Sequence, residues 1–175
     1  MTTDPRYPIG KWQQVEFSEQ EKEARLADIL FLPRMLEYAV LNLNEDQLNT
    51  PYREGGWTLT QVIHHVADSH MNAFIRFKLG LTEDKPTIKP YIQNAWGETA
   101  DVKNVPVNYS ITLLHALHHR WYELLKTITD EQWQRTIFHP EQKTTMTLWT
   151  LLIIYSWHGK HHAAHVTNLR EEMQW

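Results

Sequence analysis

The sequence predicts an all-α chain folded as a four-helix bundle, and three observations carry that reading. Only six of 175 residues are glycine, so turns with positive φ should be scarce and long helices favoured. Four stretches repeat apolar residues at three- and four-residue spacing, the signature of a helix with one buried face. Capping signals of the S/T-x-x-E/Q form stand at Ser18 with Glu21, Thr58 with Gln61 and Thr129 with Gln132.

The elements follow in order. Residues 1–17 lack a period and contain Pro5, Pro8 and Gly10, which suits an extended strap over a single domain spanning 1–175. From Ser18 the stripe Leu26, Ile29, Leu36, Val40, Leu43 defines the first main helix, ending near Asn44. Pro33 lies inside it and should kink rather than end it, because the period resumes beyond. After TPYREGG a second helix runs from Thr58 to about Leu81 through Val62, Ile63, Val66, Ala73, Phe74 and Phe77. Residues 82–109 carry three prolines and no period, longer than the ~12–15 residues usual for an unstructured loop, so a long crossover connection is expected there. The third helix begins at Ser110 and packs through Leu114, Leu117, Trp121, Leu124 and Ile128. A short helix follows Thr129, and the last main helix runs from Thr147 to about Met173.

Composition narrows the chemistry. There is no cysteine, which excludes disulfides, a cysteine nucleophile and thiolate-ligated metal, so any metal must sit on nitrogen and oxygen ligands. The net charge of −4, with no basic cluster, disfavours a nucleic-acid surface. The start of the sequence lacks signal-peptide regions, and the most apolar run, Leu148 to Trp157, falls short of the ~20 residues that span a bilayer. A cytoplasmic protein acting on a small molecule, without nucleic-acid or membrane partners, is expected.

Histidine is abundant, with eleven residues. On the last helix the inward stripe is Leu148, Leu151, Tyr155, Val166, Leu169 and Met173, and His158 and His162 fall in its middle, one turn apart. That spacing lets two imidazoles hold one ion, and burying two polar rings without a partner is costly. His161 and His165 repeat the spacing but start about a quarter turn from the stripe. A catalytic zinc takes three protein ligands and keeps a position open, so a third ligand should come from another helix. His64, His65 and His70 on the second helix point in different directions, so at most one joins; periodicity favours His70, with His65 at the edge of the apolar face and His64 pointing away. His115, His118 and His119 read as surface residues, and His139 as solvated or locally hydrogen-bonded. The tryptophans read as packing anchors.

The segments TPYREGGWTLTQVIHHVADSHMNAFIRFKL, HHRW, FHP and WHGKHHAAHVT resemble the DinB-like superfamily, specifically its YfiT-like branch of metal-dependent hydrolases, over nearly the whole chain. The resemblance implies a four-helix bundle, usually homodimeric, holding zinc or nickel through three histidines: one from the second helix and an H-x-x-x-H pair on the last. Matched to that pattern, the ligands are His65, in HVAD, with His158 and His162, which replaces the periodicity's preference for His70. The activity implied is hydrolysis at an open metal site. The wider superfamily also implies a thiol S-transferase using a low-molecular-weight thiol such as bacillithiol, and a non-catalytic metal-stabilised binding module is the remaining alternative. Three imidazoles alone do not select among zinc, nickel, copper and iron. Asp68 is a candidate outer carboxylate on the His65 side of its helix.

Overall fold

The computed structural model describes residues 4–175, and residues 1–3 of the expected strap lie outside the described residues. Its four long helices are α1 (Glu19–Val40), α3 (Leu59–Thr82), α6 (Val107–Lys126) and α8 (Leu148–Met173). Short helices α2 (Glu45–Leu48), α4 (Gln93–Trp96), α5 (Ala100–Asn104) and α7 (Asp130–Trp133) punctuate the connections. The expected caps form: Ser18 accepts from the Glu21 N–H, while Thr58 with Gln61 and Thr129 with Gln132 make complete capping boxes. Pro33 is accommodated within a continuous α1. The third long helix begins three residues before Ser110, with Pro106 at its N-cap. Strands β1 (Thr136–His139) and β2 (Thr144–Thr147) form an antiparallel hairpin that the sequence reading did not anticipate, pairing Thr136 with Thr147 and His139 with Thr144.

Helix order follows from which helices touch. α1 packs on α6 and α8, α3 packs on the same two, and α1 and α3 face each other across the diagonal. Their directions follow from paired positions. Asp28 of α1 meets Ser156 of α8, and the Ala39 carbonyl meets Arg170, so these two helices run parallel. His64 and His70 of α3 meet Ser110 and His118 of α6, also parallel. α3 and α8 are antiparallel, with Gly80 beside Leu148 and His65 beside His158. The order is therefore up, down, down, up. Between α3 and α6 the chain must return along a 24-residue helix about 36 Å long, which is what the predicted crossover does. It starts beside the hairpin, where Thr87 bridges Phe138 in parallel, and ends with α5 leading into α6.

The core divides into two apolar halves. One gathers Ile29, Phe77, Trp121, Trp133 and Leu152; the other gathers Leu36, Val62, Ile63, Leu114 and Val166. Between them, on α3, α6 and α8, lies a layer of histidines. Residues 4–18 run along α8 in the opposite direction: Trp149 Nε1 donates to the Val15 carbonyl at 2.8 Å and Trp157 Nε1 to that of Gly10 at 3.1 Å. No helix among the described residues is long and apolar enough to cross a membrane.

Candidate metal centre

The histidine layer is built from rings on α3, α6 and α8. On α8, His158 and His162 lie one turn apart on the face turned to α3, and across from them stands His65. One ring nitrogen from each of the three lies within 4.8 Å of the others, the only such group among the described residues. His65 Nε2 and His158 Nε2 are 3.3 Å apart. Two nitrogens bound tetrahedrally at about 2.0–2.1 Å from zinc stand about 3.3–3.4 Å apart, so the spacing of this pair fits a shared ion. Burial keeps all three rings neutral: the pKa of His65 falls to about 4, and those of His158 and His162 fall well below the usual histidine range, with neighbouring histidines adding to the effect. Neutral imidazole is the ligating form. No carboxylate belongs to the group, which leaves an ion's positive charge unbalanced and coordination positions open.

His70 is not at the centre but behind it. It is fully buried, as its period predicted, and its Nε2 lies 3.1 Å from His158 Nδ1. Its Nδ1 lies 3.0 Å from His118 Nε2, and His118 Nδ1 meets the Ile29 carbonyl. A carbonyl can only accept, so His118 carries its proton on Nδ1. A neutral ring has one N–H, so His118 Nε2 accepts from His70 Nδ1–H, and His70 Nε2 accepts from His158 Nδ1–H. His158 Nε2 is thereby left with its lone pair, aimed at His65. The backbone of α1 thus sets the tautomer of His158 through two intervening rings, the kind of orientation that a metal-binding histidine would need.

Two expectations are corrected here. His118 is completely buried rather than exposed, because it holds the α1 backbone end of this chain. His64, expected to point away, is buried as well: its Nδ1 pairs with Ser110 Oγ at 2.7 Å and its Nε2 with the Val105 carbonyl at 3.0 Å, where α5 meets α6. His115 and His119 are exposed as expected. His139 closes β1, and its Nδ1 accepts from the Gln142 N–H. Asp68 makes no side-chain hydrogen bond to His65; half-burial, with the nearby Asp101 carboxylate adding to it, pushes its pKa up to about 6.

His161 and His165 form a second pair, their Nε2 atoms 3.1 Å apart. Trp157 stacks on His161 at 4.3 Å and Tyr52 on His165 at 3.9 Å, so these rings are held by aromatic faces. Trp57 packs on His65 at 4.7 Å. Two cavities flank the centre, of about 440 and 530 Å³, and His158, Gln93 and Asn94 line both. The first lies among α3, α8, the hairpin and the crossover; the second is walled by Tyr52, Arg53, Trp157, His161 and His165. The crossover therefore places Gln93 and Asn94 where the two meet.

Similar proteins share this architecture. A family model described as the DinB superfamily matches residues 29–166. A protein of Geobacillus thermodenitrificans named "Putative metal-dependent hydrolase" is 48% identical, covering 99% of both chains. YfiT of Bacillus subtilis, which bears the same functional name, is 46% identical over 97% of this chain and 96% of its own. The solved structure of YfiT, described as having an unusual four-helix bundle topology, superposes with a TM-score of 0.96 at 45% identity, covering 99% of each chain.

Proposed function

The chain belongs to the DinB superfamily, and from its three-histidine centre we propose that it is a metal-dependent hydrolase of small molecules, with His65, His158 and His162 holding one divalent ion, zinc or nickel. The single observation that carries the proposal is the convergence of these three neutral imidazoles, from two antiparallel helices, on one point between two cavities. A bound ion of this kind polarises a carbonyl or phosphoryl oxygen and lowers the pKa of water to about 7. The chain supplies the rest. His70 and His118 hold His158 in its ligating tautomer, Trp57 packs on the face of His65, and the crossover lines both cavities with Gln93 and Asn94. Three protein ligands rather than four favour catalysis over a purely structural ion.

Elemental analysis of tag-free protein tests the centre. One ion per chain is expected, lost in His65→Ala, His158→Ala and His162→Ala; retention by all three variants overturns it. Incubating the loaded protein with 4-nitrophenyl acetate, with and without bacillithiol, tests the reaction. Turnover without thiol is expected, and product formed only with thiol would replace hydrolysis by thiol transfer.

A further inference from the structure

We propose that the cavity among α3, α8, the hairpin and the crossover is an anion-recognition subsite, in which Arg76 takes the carboxylate of a small substrate whose reacting end lies at His158; this rests on the metal-centre reading above. The first support is a cation without a counter-ion. The Arg76 guanidinium donates to Tyr155 Oη at 3.0 Å and, more weakly, to the Lys89 carbonyl at 3.4 Å. Its Nε is buried with no partner, and no carboxylate lies within salt-bridge distance among the described residues. A guanidinium offers five N–H donors in a planar fork shaped for a carboxylate, and here the half-buried group keeps its Nε–H enclosed without an acceptor, which is unfavourable.

The second support is position. Tyr155 lies one turn from His158 on α8, with ring centroids 5.7 Å apart, so Arg76, Tyr155 and His158 form a line from the cavity wall to the centre. The lining also defines the guest. Arg76 is its only lysine or arginine, and Glu141 is its only carboxylate, which suits one negative charge and opposes a second. Ile137, Met146, Leu151 and Ile154 supply an apolar wall for an organic body. A monocarboxylate with a hydrocarbon or aromatic portion satisfies both, whereas a phosphate dianion would face a single cation.

Calorimetric titration with phenylacetate and its neutral analogue phenylacetamide tests this, on metal-free protein first so that no ion can take the carboxylate. Phenylacetate should bind wild type at least ten-fold more tightly than phenylacetamide. Arg76→Gln should abolish that preference, and Arg76→Lys, which keeps the charge but not the fork, should retain part of it. No phenylacetate binding by wild type, equal affinities for acid and amide, or an unchanged preference in Arg76→Gln would each overturn the subsite. The same proteins analysed for metal separate the two readings. Arg76-dependent binding in a chain that takes up no ion refutes the centre alone; histidine-dependent metal with no Arg76 dependence refutes the subsite alone.

Discussion

Replacing His70 separates the part proposed for it in metal binding from its part in the core. Its Nδ1 faces His118 and its Nε2 faces His158, at 3.0 and 3.1 Å. An asparagine amide occupies roughly the Nδ1 position and keeps the bond to His118, but it does not reach His158. A glutamine amide reaches further, to the Nε2 position, and can present its carbonyl to the His158 Nδ1–H. His70→Asn should therefore leave that N–H buried and unpaired, costing about 1–3 kcal/mol of stability, and release His158 to either tautomer. Loss of such an outer partner weakens metal binding by about 10–100-fold, or about 1.4–2.7 kcal/mol. His70→Gln should recover much of that affinity although it perturbs the same core. Zinc competition against a fluorescent chelator gives the affinities, urea unfolding gives the stabilities, and long-range proton–nitrogen correlation spectra report the His158 tautomer. Equal zinc affinities for the Asn variant and wild type, or for the Asn and Gln variants, would refute the tautomer chain.

Acid should destabilise the protein through the same layer. Burial lowers the His118 pKa from 6.5 to about 4, so as pH falls below about 6.5 the unfolded chain takes up a proton that the native chain refuses until about pH 4. Stability from this group is flat above that window and declines through it by about 3 kcal/mol, and His118→Asn should flatten the pH dependence of the urea midpoint. At Gly159 an added Cβ would stand 2.4 Å from Leu32 Cδ2, so Gly159→Ala should lower stability by about 1–3 kcal/mol despite the better helix former, and a raised melting temperature would contradict the close α1–α8 contact. Removing the completed capping box with Thr58→Ala should cost about 0.5–2 kcal/mol of stability in urea unfolding.

The sequence revealed α1, α3 and α8 closely because caps and period agree there, whereas α6, which has no side-chain cap, starts three residues before the expected Ser110. Ser18, Thr58 and Thr129 stand at the N-caps expected of them, and Thr147, the expected start of the last helix, caps it. The hairpin escaped because its strands have four residues each, β2 begins with two exposed positions, and its turn lacks the glycine that usually marks a tight hairpin. Its Lys143 adopts φ 51° instead. The polar interior was harder for a different reason. A stripe drawn through apolar residues assigns histidines to the surface by default, yet His118 stands four residues after Leu114 and three before Trp121, both fully buried. The same spacing relates His70 to Val66 and Ala73. Periodicity was thus a partial guide to burial and a poor one to role: it placed His70, the most enclosed ring of α3, at the core but set His64 and His118 outside it, while the resemblance singled out His65, which faces the cavity beside Trp57.

Burial and role are joined by a property of imidazole. A neutral ring has one donor and one acceptor, so a line of rings satisfies itself internally and leaves one unmet requirement at each end. In the layer between the two apolar halves, one end is met by the Ile29 carbonyl, which fixes the direction of every proton between it and His158. The other end is a lone pair on His158 Nε2, directed at the Nε2 of His65. A proton on His65 could meet it, but His162 adds a further neutral nitrogen to the same point and has no hydrogen-bond partner at its buried Nδ1. An electron-pair acceptor at that point would satisfy the His158 lone pair and the neighbouring neutral nitrogens together, so the polar bookkeeping of the core supports the proposed ion independently of any relative's name.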